Sequence, residues 1–336
     1  MGFHSYLGTD KGVYRLDGGA LEPLGLEEYR VSAIYAASNG NGHDLILAGT
    51  YGDGLYRSAD SGATWEPVTE GLTASAFRTI QTDPTTPGAI ICGTEPARAF
   101  RSTDGGRSWQ GMDGIKEIPS VPDWYLPYSP RAGALRNFYA PPGGGGRMLG
   151  AVEVGGLLET NDAGETWRLL DFEPDDDFHY VTGHPRDASL LYVALGWASL
   201  DRGRDRGGED PLGGVARSED GGHTWAKFHT DYTRAVIVPP ANDGLLLTAP
   251  AQRVGRLGRI EVSADGGESW EDASAGLESP MEDMVEVFVP APDGSICAVC
   301  SAGRLTVSEP GPWRWRSMLP DGAGVAVEAI SFVNGS

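Results

Sequence analysis

Short apolar runs recur along the whole chain in one order, clearest between residues 31 and 68. Val31-Ser-Ala-Ile-Tyr-Ala36 comes first, then Asp44-Leu-Ile-Leu-Ala-Gly-Thr50, then Gly54-Leu-Tyr-Arg-Ser58, then Thr64-Trp-Glu-Pro-Val68. Each run is short, rich in aliphatic and aromatic residues and bounded by Gly, Asn, Asp or Pro, which predicts a strand. Four such strands joined by tight turns make one unit.

A polar phrase marks each copy of the unit: Ser58-Ala-Asp-Ser-Gly-Ala-Thr-Trp65, Ser102-Thr-Asp-Gly-Gly-Arg-Ser-Trp109, Thr160-Asn-Asp-Ala-Gly-Glu-Thr-Trp167, Ser218-Glu-Asp-Gly-Gly-His-Thr-Trp225 and Ser263-Ala-Asp-Gly-Gly-Glu-Ser-Trp270. The copies start 44, 58, 58 and 45 residues apart, a period that suits stacked four-stranded units with insertions in two of them. The Asp and Ser/Thr side chains can bond nearby backbone amides, Gly permits a positive φ, and Trp plugs the turn from below. The phrase is therefore structural; a ligand site would need a cluster of acids. Two worn copies bring the count to seven. Ser308 to Trp315 keeps the Ser-to-Trp offset without the Asp, and residues 5–17 repeat the strand-turn-strand that leads into each phrase. Residues 3–24 supply only three strands and residues 325–333 only one, so pairing 327–333 with 3–8 completes the last unit and removes two open edges.

The phrase S/T-x-D-x-G-x-S/T-W is the Asp box, and on its five copies the chain resembles the Asp-box (BNR) β-propellers, the superfamily that includes sialidases, some endoglucanases and photosystem assembly factors. With the count above, the resemblance implies an all-β, seven-bladed β-propeller with four-stranded blades, closed by the C-terminal strand joining the N-terminal blade. One domain spans residues 1–336, with no helix of consequence. Strand order puts the phrases at one end, the bottom. The starts of the inner strands and the turns between second and third strands lie at the other end, where propeller ligands usually sit.

Composition narrows the partners. Of 336 residues, 49 are Gly and 23 are Pro, which suits many short strands and turns. Forty-seven acidic against 26 basic residues give a net charge of −21, a field that repels nucleic acid and anionic membranes. Cys297 and Cys300 are three apart in a strand, so their side chains point to opposite faces and make neither a redox nor a metal pair. No leader pattern or membrane-length apolar run is evident, and the expected location is cytoplasmic. Zinc spacing, a Walker loop, a nucleotide fingerprint and a nucleophile elbow are all missing, so no cofactor and no metal are expected.

Candidate chemistry gathers at the top. Aligning the inner strands on the Pro or turn that follows them places Arg30, Arg78, Arg136, His179, Arg234 and Met284 in register. Four arginines at one level suit capture of an anionic or carbohydrate-like small molecule; the alternative is ion pairs that hold the blades together. The top turns present Asp10, Tyr51, Glu95, Glu153, Arg256 and Ser301. Glu95 and Glu153, on adjacent blades, are candidate acid and base, and equally candidate partners for the arginines. Insertions at 113–135, with Trp124, Tyr125 and Tyr128, and at 198–214, with Trp197 at its base, are expected on the same face, as a roof and a lid. Asp175-Asp-Asp177 beside His179 is a solvated turn or a cation site.

The sialidase resemblance implies an arginine cluster on a carboxylate (Arg30 with Arg78, Arg136 or Arg234), a Tyr51–Glu95 nucleophile pair, and Asp10 as acid. Two departures stand beside it. Sialidases close with six blades, and their Arg-Ile-Pro entry is here Tyr29-Arg30-Val31-Ser32, without the Pro. The leading expectation is a propeller that binds, or also cleaves, such a ligand at an arginine-lined mouth. The competing one is a non-catalytic interaction or assembly scaffold.

Overall fold

The computed structural model describes residues 2–124, 126, 133–172, 177–197, 213–229 and 231–334. Seven antiparallel sheets stand in a ring, one per sequence unit. Blade 2 is Val31–Ser38, Asp44–Thr50, Leu55–Ser58 and Glu66–Val68 from the axis outward. The inner strands of blades 3 to 7 are Ala76–Thr82, Ala134–Tyr139, Phe178–His184, Tyr232–Ile237 and Val285–Pro290. Blade 6 carries one extra short strand, Arg256–Gly258, paired to its second strand.

Blade 1 closes as expected. Val327–Asn334 pairs antiparallel with Phe3–Thr9, from Phe3 opposite Asn334 to Gly8 opposite Ala329. A chain split this way has no free inner edge, because the last strand of the sequence becomes the axial strand of the first blade.

The core lies between neighbouring blades, as flat faces packed in series. Leu47, Leu55, Phe77, Ile80, Cys92 and Trp109 fill the space between blades 2 and 3, and the same layer recurs around the ring. Cys297 belongs to the layer on one face of blade 7 and Cys300 to the layer on the other.

The five phrases fold alike. In each, the first hydroxyl accepts a hydrogen bond from the Gly amide four residues on, at 2.7–2.9 Å. The Asp accepts from both the amide and the hydroxyl of the following Ser or Thr, as Asp60 does from Thr64 at 2.9 and 2.6 Å. That Gly takes positive φ in all five, from 80° at Gly106 to 104° at Gly267. Their Trp rings pack between blades; Trp65 donates to the Leu24 carbonyl of blade 1 at 2.7 Å, and Trp315 plugs the worn copy.

Of the insertion after blade 3, expected as a roof, residues 113–124 are described and pack between blades 3 and 4. It starts after the outermost strand, Gln110–Gly111, at the space between blades 3 and 4. Two 3₁₀ turns, Asp113–Glu117 and Val121–Asp123, fill it by burying Ile115, Ile118, Val121 and Trp124 against Phe138 and Val152. These turns and closures are the only helical elements among the described residues, and no helix there is long and apolar enough to cross a membrane. Tyr125, Tyr128 and residues 198–212 lie outside the described residues.

Candidate functional site

Each inner strand breaks register near its start, and that of blade 5 does so again between Gly183 and His184. The pairing steps from Val31 to Ala33, Phe77 to Thr79, Leu135 to Asn137, Phe178 to Tyr180, Val285 to Val287 and Val327 to Ala329, and from Thr233 to Val236 in blade 6. A bulge leaves one residue outside the ladder and re-aims its side chain. Here the skipped residues are Ser32, Arg78, Arg136, His179, Arg234, Glu286 and Glu328, which all line one axial cavity of about 470 Å³, and Ala235, which is buried in the core.

The sequence register therefore needs two corrections. Arg30 stands two residues outside the ring level, which in blade 2 belongs to Ser32, and Met284 is fully buried while Glu286 takes its place. Glu286 and Glu328 are the site residues that alignment on the following turn misses.

Carboxylates meet the arginines throughout. Arg30 donates to both oxygens of Glu328 at 3.0 and 2.9 Å, and Arg234 to both oxygens of Glu286 at 2.7 Å. Arg136 donates through Nε to Glu153 at 2.7 Å and again through Nη2. Arg78 lies 3.7 Å from Glu95 and 4.0 Å from Glu153. The Tyr51 hydroxyl reaches Glu95 at 3.2 Å, and its ring is flanked by Arg30 and Arg78, whose guanidinium carbons lie 5.3 and 5.0 Å from its centre. Four guanidiniums thus face four carboxylates.

The two kinds of carboxylate differ in position. Glu95 and Glu153 are buried behind the arginines and do not reach the cavity wall, whereas Glu286 and Glu328 do. Burial alone would raise the Glu153 carboxyl, but Arg136, His179, Arg78 and Arg234 together hold it well below the usual carboxylate range. Glu286 is likewise held low against its burial by Arg234. Tyr51 moves the other way: burial, reinforced by Glu95 and opposed by Arg78, pushes its phenol above the ordinary value.

A polar chain runs along the blade 5 to blade 7 wall. The Tyr232 hydroxyl lies 3.1 Å from His179 Nε2 and accepts from Arg234 Nε at 2.8 Å. Trp197 packs edge-on against Tyr232, with ring centres 5.5 Å apart, and so supports this chain from behind. Trp124 is buried between blades 3 and 4, and Asp10 bonds the Ala326 amide at 2.7 Å, fastening the closure; neither lines the cavity.

Glu153, Asp177 and His179 bring one possible metal-ligand atom each within 4.8 Å of one another. Asp177 Oδ1 is buried without a hydrogen-bond partner and lies 3.3 Å from His179 Nε2, a contact too poorly aligned to count as a bond. A cation here would share Glu153 with Arg136, which bonds its Oε2, and Arg78 and Arg234 would repel it. Asp175 and Asp176 lie outside the described residues.

No protein-family model matches the chain, and no curated protein matches it in sequence. Solved structures do match its fold. The Niastella koreensis GH74 enzyme has a TM-score of 0.63 at 19% identity, over 98% of this chain and 51% of that one. An ancestral GH74 enzyme has 0.61 at 14%, over 90% and 38%. YCF48 bound to a D1 peptide has 0.61 at 14%, over 92% and 90%. The chain thus spans about half, or less, of the GH74 enzymes it resembles. Identities this low carry the seven-bladed propeller and no activity.

Proposed function

We propose that this chain is an Asp-box propeller of the sialidase-like type that acts as a non-catalytic recognition module, binding a small carboxylate-bearing or sugar-like molecule at the channel mouth. The Asp-box assignment rests on the shared bonding of the five phrase turns. The observation that carries the function is the order of charges across the wall. Arg78, Arg136 and Arg234 face the cavity, while Glu95 and Glu153 support the first two from behind. A ligand carboxylate would then meet guanidiniums already oriented by the carboxylates behind them.

The same arrangement argues against turnover. A general acid must be protonated at the working pH, and Glu153 is held ionised. A lowered phenol favours a tyrosine nucleophile, and burial raises that of Tyr51. The YCF48 structure, matched over most of both chains, holds a peptide, which adds support for recognition.

One observation favours a hydrolase instead: Tyr51 and Glu95 do share a hydrogen bond, as the sialidase resemblance implies. Calorimetry with sialic acid, glucuronate, galacturonate and small carboxylic acids tests the first reading. A binder should lose at least about tenfold, roughly 1.4 kcal/mol, with Arg136→Ala. Cleavage of chromogenic sialosides or uronides by the wild type, abolished by Glu95→Gln, would establish the hydrolase.

A further inference from the structure

We propose that the mouth selects a zwitterion, with the ligand's carboxylate against Arg78 and Arg136 and its ammonium against Glu286 and Glu328. This rests on the binding reading above and specifies its ligand.

The bulged residues are not mixed around the ring. Blades 3 to 6 present Arg78, Arg136, His179 and Arg234 in succession and blades 7 and 1 present Glu286 and Glu328; Ser32 of blade 2 separates the arcs at one end, and Arg234 meets Glu286 at the other. Among the bulged residues one side of the opening carries the cations and the other the carboxylates, Glu328 and Glu286, each paired with an arginine of a neighbouring blade that also lines the cavity, Arg30 and Arg234.

Exposure shows which carboxylates a ligand can touch. The side chains of Glu286 and Glu328 are 25% and 24% exposed, against 5% for both Glu95 and Glu153. The first two belong to the wall and the others to its support. A carboxylate has about four acceptor sites. Glu286 receives a single guanidinium nitrogen of Arg234 and Glu328 receives two nitrogens of Arg30, so both retain lone pairs for an ammonium.

Two further features point the same way. The net charge of −21 repels a bare anion at long range, a charge–charge repulsion that a neutral zwitterion escapes. Past the ring, Ile34, Ile80, Val287, Val289 and Ile330 line the cavity, an apolar wall for the hydrocarbon between two charged ends. The volume, about 470 Å³, suits a small molecule of this kind.

The test is calorimetric titration with aminobutyrate, aminohexanoate and aminooctanoate, each beside the matching fatty acid and alkylamine. The expected result is one amino acid bound at least tenfold more tightly than both of its singly charged analogues. Glu286→Gln and Glu328→Gln should each shrink that advantage while the fatty acid binds as well as before or better. Glu328→Gln removes only an exposed contact, so it keeps the test informative if Glu286→Gln fails to fold. A fatty acid binding as tightly as its amino acid would overturn the zwitterion preference and leave carboxylate recognition standing. An alkylamine binding most tightly would overturn both. If neither these acids nor the carboxylated sugars bind, the binding reading itself fails.

Discussion

Arg30 donates two hydrogen bonds to Glu328, at 3.0 and 2.9 Å, and so ties the start of blade 2 to the strand that closes blade 1 from the far end of the sequence. The pair is accessible: the arginine side chain is 55% exposed. Exposed ion pairs contribute little, so Glu328→Gln should change stability by no more than about 1 kcal/mol. Urea denaturation measures this, and a loss of several kcal/mol would make the pair part of the closure itself.

Closure rests instead on the ladder and on apolar burial. Val327, Ile330 and Val333 are buried between blades, and the ladder runs from Phe3 opposite Asn334 to Thr9 opposite Val327. Deleting residues 325–336 exposes two strand edges and opens the ring. The truncated protein should aggregate; a soluble monomer with an unchanged melting temperature would contradict this.

The blade count and the closure are legible in the chain because they follow from repeated turn chemistry and from an unequal number of strands at the two ends. The ring is harder to read. Strand alternation assigns faces by parity, and a bulge inserts one residue and shifts that parity. Alignment on the following turn also slips by two residues in blades 2 and 7, placing Arg30 and Met284 where the structure has Ser32 and Glu286, and a slip of two keeps parity, so strand alternation does not reveal it. A flanking signal was available: Val31-Ser-Ala-Ile34, Phe77-Arg-Thr-Ile80, Leu135-Arg-Asn-Phe138, Val285-Glu-Val-Phe288 and Val327-Glu-Ala-Ile330 each set the ring residue second among four, between two buried ends. Which arginine takes which glutamate has no such signal. Glu153 is on the second strand of its own blade, while Glu286 and Glu328 reach arginines of neighbouring blades.

The phrase turns give the protein an acid limit. Hydrogen bonds from Thr64 and Ser58 hold Asp60 at about 2. At Asp104, burial acts upward, but bonds from Ser108, Ser102 and Arg107 bring it to about 2 as well. Both lie below an unperturbed Asp, near 3.9. Such groups stabilise the fold fully above the unfolded value and lose that contribution as pH falls through the folded one. Stability should therefore decline between about pH 4 and pH 2. Asp104→Ala should cost about 1–2 kcal/mol at neutral pH, from the lost turn bonds, without changing ligand affinity. An affinity loss at unchanged stability would put the phrases at the binding end.

The three cysteines are buried and unpaired with one another. Burial pushes the Cys297 and Cys300 thiols up to about 12, and Cys92 higher still. Thiolate is the reactive form, so a thiol reagent should modify none of them in the native protein and all three after denaturation without reductant. A lower count in denaturant would reveal a disulfide or a bound metal.

Arg136 and Glu153 decide whether the ring is a support or a loose set of charges. Their side chains are 17% and 5% exposed, so each is mostly out of water and depends on the other. Removing one partner takes a close compensating contact from a mostly buried charge, at a cost of up to about 3–5 kcal/mol, whereas replacing both with apolar groups of similar size can be close to neutral. Arg136→Met and Glu153→Leu should each lower stability markedly, and the double variant should recover much of the loss while still failing to bind a carboxylate. A double-mutant cycle by urea denaturation isolates the coupling, and calorimetry on the same proteins reads the ligand. If the single losses simply add, the two residues do not act as a unit, and Glu153 is not what holds Arg136 against the cavity.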